Sequence, residues 1–327
     1  MGVYNNISEI IGQTPVLRLN GFMNKYQLNS DIVAKLEYFN PNHSAKDRTA
    51  LGMINAAEQS GELTPDITLV ERTSGNTGIG LAAIAAARGY KFRVYINDFA
   101  SGERTTVMKA FGAEVVPFST VAGFKQALEE ANGDYIASTR WLKQNVIDQQ
   151  QGVLFTGQLE NQANPLIHYQ TTGPEIWQQT SGKVDIVIAT VGTGGTLSGV
   201  GRFLKEQNPA IKLIAVEPGK NSIRNRDNPE AKTITGIHSI SDMTPELTPG
   251  AMNRALFDEI FAVETEQAVA AAREVAITDG ILVGESSGAV LHAVTQLATR
   301  LDFQEKRIVV ILPDSGLTYL STGLFSD

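Results

Sequence analysis

Two stretches of this chain run from a β-branched apolar segment through a glycine- and hydroxyl-rich turn into a helix-forming segment. The first joins residues 67–71 to 79–88 through Thr73-Ser74-Gly75-Asn76-Thr77-Gly78. The second joins residues 185–191 to 197–207 through Gly192-Thr193-Gly194-Gly195-Thr196. A strand followed by a helix and another strand is the mark of parallel pairing, which needs a crossover connection where an antiparallel pair needs only a hairpin. Further apolar runs keep the alternation going. Residues 92–96 and 114–118 read as strands around a helix at 103–111, residues 211–216 as the strand after the second helix, and 307–312 as a last strand after helices at 266–278 and 287–300. The stretch 218–249 is rich in Asn, Pro and Ser, shows little periodicity and reads as long loops, which in compact domains are often functional. The expected fold is α/β, two doubly wound sheets with a cleft between them.

A chain of 327 residues, 42% hydrophobic and 19% charged, is long enough for a large core and about two domains, and it is not disordered. Its net charge of −8, with no dense Lys/Arg run, argues against nucleic acid and anionic membranes and leaves small molecules and itself as partners. With no cysteine, disulfides, thiol nucleophiles and thiolate metal sites are excluded. His43, His168, His238 and His292 are scattered without ligand-like spacing, so no metal site is expected. The start of the chain lacks a secretion signal and no apolar run reaches membrane-spanning length, so a cytoplasmic location is expected.

Lys46 lies in Asn40-Pro41-Asn42-His43-Ser44-Ala45-Lys46-Asp47-Arg48, at the first turn of a helix. A cation is out of place there, because the unpaired N–H groups and the macrodipole of a helix start are positive. Two readings stand. One is a solvated lysine paired with a nearby acid; the other is an amine that loses its proton readily and can form a Schiff base with a carbonyl.

The two glycine-rich turns are anion cups by construction, with backbone N–H groups and a helix dipole aimed at the ligand and hydroxyls adding donors. Nucleotide motifs explain them poorly: Leu197 stands where a dinucleotide fingerprint needs its third glycine, and neither turn ends in Gly-Lys-Ser/Thr. Glu217, at the end of the next strand, keeps a nicotinamide enzyme open as an alternative, since an acid there can hold a ribose. The run from Gly280 to Ala289 reads as an extended segment entering a helix, with Ser286 and Ser287 either as plain caps or as hydroxyl donors to a ligand.

A reactive amine, a cup for a phosphate, another for a carboxylate and a hydroxyl for a heteroaromatic ring are together the parts of a pyridoxal phosphate site. The chain resembles the O-acetylserine sulfhydrylase (cysteine synthase) and cystathionine β-synthase family, the tryptophan synthase β-like, fold type II pyridoxal phosphate enzymes. The resemblance runs from about Ile7 to near the C-terminus. It is carried by Asn-Pro-x-x-Ser-x-Lys-Asp-Arg at 40–48, Thr-Ser-Gly-Asn-Thr-Gly at 73–78, Thr-Thr-Gly-Pro-Glu-Ile at 171–176, Gly-Thr-Gly-Gly-Thr at 192–196 and Pro-Asp-Ser-Gly at 313–316. It implies Lys46 as Schiff-base anchor and α-proton base. Asn76 is implied as partner of the cofactor's phenolic oxygen, and Gly192, Thr193, Gly194, Gly195 and Thr196 as the phosphate cup. Ser286 is implied as partner of the pyridine nitrogen, a neutral hydroxyl that leaves the ring a weaker electron sink and favours loss of a β-substituent. Thr73, Ser74, Asn76, Thr77 and Gln158 are implied to bind the substrate carboxylate.

The implied reaction is β-replacement, O-acetyl-L-serine plus sulfide giving L-cysteine and acetate through an aminoacrylate. The alternatives are a cystathionine-type replacement with homocysteine or another nucleophile, and β-elimination. The resemblance also implies a homodimer, with a larger domain from residues 1–38 and 160–327 and a smaller mobile one from 39–159. The chain departs from the family at several places. Gly236-Ile237-His238-Ser239-Ile240 stands where Gly-Ile-Gly-Ala-Gly is common, which makes the entrance bulkier and puts His238 in reach of the incoming nucleophile. Glu285 replaces an apolar residue beside Ser286, Arg72 replaces a small residue or proline, and Leu317-Thr318 replaces an acid-Arg pair.

Overall fold

The computed structural model describes residues 2–98, 102–225 and 228–326, and in it the chain builds two sheets. The elements run β1 (Val16–Arg18), α1 (Asn20–Tyr26), β2 (Asp31–Leu36), α2 (Lys46–Ser60), β3 (Thr68–Arg72), α3 (Asn76–Arg88) and β4 (Lys91–Ile96). Next come α4 (Gly102–Ala110), β5 (Glu114–Pro117), α5 (Phe124–Glu130), α6 (Tyr135–Leu142), β6 (Val153–Phe155), α7 (Ala163–Ile167) and α8 (Gly173–Gln179). The chain closes with β7 (Ile186–Thr190), α9 (Gly195–Gln207), β8 (Lys212–Pro218), β9 (Glu259–Val263), α10 (Thr265–Asp279), α11 (Glu285–Leu297) and β10 (Arg307–Leu312). The larger sheet has the order β1-β2-β10-β7-β8-β9 and the smaller β5-β4-β3-β6. Only β1 pairs antiparallel; every other neighbour is parallel.

Parallel sheets carry helices on both faces, so their strands are apolar throughout and side chains alternate between two cores. Ile32, Ala34, Ile308, Val310 and Leu312 face one core with Val290 and Val294 of α11, while Val33, Val309 and Ile311 face the other with Leu197, Val200 and Leu204 of α9. The α/β class and the two sheets agree with the expectation from sequence. The helices expected at 79 and 197 begin earlier, at Asn76 and Gly195, because the turn residues themselves form the first helical turn. The strands β1, β2, β6 and β9 were not marked by any turn motif; β1 and β6 have three residues each and show no usable periodicity. Among the described residues, 218–249 holds only short 3-10 turns beyond the end of β8, as the loop reading required.

The strand orders fix where a ligand can sit. In the larger sheet the chain moves outward through β7, β8 and β9 and then returns to β10 on the other side of β7, so the order reverses between β7 and β10. In the smaller sheet it moves through β3, β4 and β5 and returns to β6, reversing between β3 and β6. Crevices open at the carboxyl ends of strands at such switch points. Both reversals deliver their loops to one place: 190–193 and 313–314 from the larger sheet, 73–77 and 158–159 from the smaller.

The start of α2 is held against the larger sheet by a buried charge cluster. Arg48 donates from Nε to Glu37 Oε2 (2.8 Å), and from Nη1 and Nη2 to the two oxygens of Glu175 (2.7 Å each). Lys35 Nζ donates to Glu175 Oε2 (2.7 Å) and to the Thr14 carbonyl (2.6 Å), and the Thr14 hydroxyl donates to Glu37 Oε1 (2.6 Å). Two cations and two carboxylates balance, and the side chains of Lys35 and Glu37 are 0% exposed. Burial alone would raise the Glu37 carboxyl; Arg48, Lys35 and Thr14 together outweigh it and bring it from 4.5 to about 2.

Removing one member of such a cluster strands a buried charge, so Glu37→Ala is expected to destabilise the protein at pH 7 by about 3–5 kcal/mol, read from urea unfolding. Because the folded-state value is depressed, the carboxylate's contribution is complete above 4.5 and is lost as the pH falls toward about 2. The gap between wild type and variant should therefore narrow over that interval.

Candidate active site

The two crevices merge in a cavity of about 280 Å³. Lys46, Thr73, Ser74, Asn76, Thr77, Gln158, Gly192, Thr193, His238 and Ser286 line it, which brings together most of the residues singled out from sequence. Gly194, Gly195 and Thr196 lie behind the wall: Gly195 opens α9, and the Thr196 hydroxyl is 3.1 Å from His168 Nε2.

Lys46 is the first residue of α2; its N-cap, Ala45, offers no capping side chain, and Ser44 Oγ accepts the Lys46 N–H (3.2 Å). The segment before it is tied to the end of β10: Ala45 N–H donates to Pro313 O (2.7 Å) and Ser315 N–H to His43 O (3.1 Å). Burial lowers the Lys46 ammonium below its ordinary value, with Asp314 and Glu37 pulling the other way. The net direction favours a neutral amine, the form that attacks a carbonyl or takes a proton.

The 192–196 turn is packed so closely against its neighbours that its glycines have no room for side chains. A Cβ on Gly192 would lie 2.4 Å from Gly236 O, and one on Gly195 would lie 2.2 Å from Asn164 Oδ1. Gly194 has φ +80°, and a Cβ there would meet Met252 at 2.5 Å. Asn164 Nδ2 donates to Thr193 Oγ1 (2.9 Å) and to Gln158 O (2.8 Å), which ties the turn to the β6 crevice. His168 sits in a π-helical turn between α7 and α8, with Nδ1 2.9 Å from Thr172 Oγ1. Burial pushes its imidazole down to about 3, so the ring that supports Thr196 is neutral. A glycine cradle at the start of a 13-residue helix, in the same cavity as a desolvated amine, fits a phosphate-bearing carbonyl cofactor.

The facing turn starts α3. Thr77 Oγ1 donates to Gln158 Oε1 (2.7 Å), and Glu71 fixes the Gln158 backbone by accepting its N–H (3.0 Å) and the Thr156 hydroxyl (2.7 Å). Ser286 is the second residue of α11, whose N-cap is Gly284, so neither Ser286 nor Ser287 is the cap that its composition suggested. Glu285 does not line the cavity; its Oε2 accepts from Thr235 N–H (3.0 Å). Glu217, the candidate ribose acid, is engaged by the loop at 239–241, accepting from Ile240 N–H (2.7 Å), Ser241 N–H (2.9 Å) and the Ser241 hydroxyl. That loop carries His238, and the carboxylate's loop bonds remove the geometric ground for a nicotinamide reading.

Among the cavity residues with no role assigned from sequence are Asp314, Tyr319, Arg104 and Tyr135. Asp314, 3% exposed, accepts from Asn76 Nδ2 (2.8 Å) and the Tyr319 hydroxyl (2.7 Å), while Arg104 stacks its guanidinium 4.9 Å from the centre of the Tyr319 ring. Asn76 and Arg104 come from the smaller sheet's helices, Asp314 and Tyr319 from the chain after β10, so the set clasps the cleft. Burial raises the Asp314 carboxyl, partly offset by Tyr319 and Asn76. The motif Pro-Asp-Ser-Gly marked the place, but a bond across 238 positions left no local signal.

Comparison with known proteins agrees with the geometry. A family model described as pyridoxal-phosphate dependent enzyme matches residues 7–314. A cysteine synthase of Staphylococcus aureus is 41% identical over 323 residues, covering 98% of this chain and 97% of the relative. The crystal structure of O-acetyl serine sulfhydrylase isoform 3 from Entamoeba histolytica superposes with a TM-score of 0.84 at 34% identity, covering 100% of this chain and 92% of that one. A hydrogen sulfide-producing enzyme from Fusobacterium nucleatum gives 0.82 at 35% identity, covering 98% and 99%.

Asp314→Ala should leave the Tyr319 hydroxyl buried without its acceptor, an effect of about 1–3 kcal/mol. Adding Tyr319→Phe to that variant removes the stranded hydroxyl and is expected to recover part of the loss. The comparison of thermal midpoints for the two variants checks it; a double variant less stable than Asp314→Ala contradicts the clasp.

Proposed function

The chain belongs to the pyridoxal-phosphate dependent enzymes, and from that membership we propose that it is a cysteine synthase, replacing the β-acetoxy group of O-acetyl-L-serine with sulfide to give L-cysteine and acetate. The observation that carries the reading is the desolvated Lys46 amine in one cavity with the glycine cradle at 192–196 and the hydroxyl-lined turn at 73–77.

Bound there, pyridoxal phosphate supplies the carbonyl that takes up an amine and the ring that weakens the substrate's Cα–H bond. The backbone N–H groups of Gly192 to Thr196 would hold its phosphate, Asn76 its phenolic oxygen and Ser286 its ring nitrogen. Asp314 orients Asn76 through the 2.8 Å hydrogen bond, and Thr73, Ser74, Asn76, Thr77 and Gln158 receive the substrate carboxylate at the start of α3. Lys46 Nζ, its ammonium lowered by burial, would take the α-proton. A neutral serine beside the ring nitrogen keeps the site suited to prompt loss of the β-substituent.

The same proposal includes residues 39–159 as a smaller body that moves against 1–38 and 160–327, a homodimeric working form and a cytoplasmic location. The exposed apolar side chains of Val3, Tyr4, Ile7, Ile10 and Phe39 support association, since a partner can cover them. No helix among the described residues is long and apolar enough to cross a membrane.

The test is Lys46→Ala. The purified wild type is expected to be yellow and to form cysteine from O-acetyl-L-serine and sulfide. The variant is expected to lose the covalent visible band and at least roughly 10²-fold in turnover, the lower end of what a positioned general base contributes. Full turnover in the variant would falsify the assignment.

A further inference from the structure

Tyr135 and His238 both line the cavity and stack on each other, their ring centroids 5.4 Å apart and their planes 20° from parallel. They come from opposite sides of the cleft. Tyr135 is the first residue of α6, and His238 lies in the loop after Gly236. Neither side is loosely held. His238 N–H donates to Val191 O (3.0 Å), and Glu217 takes the N–H groups of Ile240 and Ser241 just beyond it. Tyr135 donates its hydroxyl to Arg72 O (2.7 Å) and accepts at its carbonyl from Arg72 Nη1 (2.7 Å).

Arg72 gives this wall its backing. The side chain is nearly buried, at 4% exposure, with its guanidinium 4.4 Å from the Tyr135 ring and 5.0 and 5.2 Å from Phe118 and Phe124. Its hydrogen bonds go to neutral oxygens, the Tyr135 carbonyl and the hydroxyls of Ser138 and Thr139, and it forms no ion pair among the described residues. A buried guanidinium stays charged, and the nearby Asp134 and Glu71 carboxylates offset it, so Arg72 serves this wall by bracing Tyr135 and not by its charge. Two stacked rings on the cavity lining leave little room for a bulky group between the two sides of the cleft.

We propose that Tyr135 and His238, braced by Arg72, are the specificity-determining pair for the second substrate, admitting hydrosulfide and excluding sulfur nucleophiles that carry an organic chain. The proposal rests on the β-replacement reading and goes beyond it by naming what selects the nucleophile. Arg72 acts through Tyr135 as a positioning residue. The two rings act on the nucleophile by shape.

The test compares kcat/KM for sulfide and for L-homocysteine, with O-acetyl-L-serine as first substrate, in holoenzyme of wild type, Tyr135→Ala, His238→Gly and His238→Phe. Thermal midpoint and visible band verify fold and cofactor in each. Opening the wall with Tyr135→Ala or His238→Gly is expected to raise the homocysteine-to-sulfide ratio roughly 10-fold or more, the scale of a methylene group's room in a pocket, chiefly through the KM for homocysteine. His238→Phe keeps a ring in the stack and is expected to hold the ratio near the wild-type value. Folded, yellow variants with an unchanged ratio overturn the proposal, as does His238→Phe behaving like His238→Gly, which would place the effect in the imidazole nitrogens. Wild type that makes no cysteine from sulfide overturns the functional reading as well, whereas active wild type with unchanged ratios overturns this proposal alone.

Discussion

Arg48 is the residue on which the arrangement of the site depends. Two positions after Lys46, it puts one guanidinium between Glu37 from the segment after β2 and Glu175 from α8, with Lys35 of β2 completing the balance. Each partner on its own would be a buried charge. Together they fix the first turn of α2 against elements 11 and 127 positions away. A hydrophobic plug of the same volume can equal such a cluster in stability, but it lacks the fork of directed bonds that sets the helix start in one orientation. Lys46 inherits that orientation, and with it the burial that lowers its ammonium.

The rest of the site follows from the two sheet reversals. Each sheet offers a crevice at the carboxyl ends of its central strands, and the crossing of the two places an anion cradle opposite a hydroxyl-lined helix start. Contacts across that cleft among the described residues include Asn76 to Asp314, Arg104 over Tyr319 and Tyr135 against His238. Polar contacts of this kind can be broken and remade at modest free-energy difference, which suits a cleft that must admit one substrate, exclude water and then admit another.

How much of this was legible in the sequence depended on distance along the chain. The strand-turn-helix units and the lysine at a helix start are local patterns, and Lys46, Asn76 and the two turns could be marked from them. What required tertiary pairing was not visible. Arg72 stood out as a departure, yet its partners Tyr135, Ser138 and Thr139 lie 63 to 67 positions away in a stretch next to one that reads as merely polar. Glu217 had the right place for a ribose acid, and only the fold shows its carboxylate closing the loop that carries His238. Ser286 was marked correctly as a cavity residue but not as the second residue of its helix, since capping composition does not say which of several small residues takes the cap.

The central claim is that the helix start pinned by Arg48 presents one lysine, Lys46, to the cofactor. Borohydride reduction of the purified holoenzyme fixes the cofactor to whichever amine holds it, and peptide mass spectrometry then locates the adduct. The account predicts a single pyridoxyl-bearing peptide modified at Lys46. An adduct on any other lysine, or a reduced protein with no adduct at all, would contradict it.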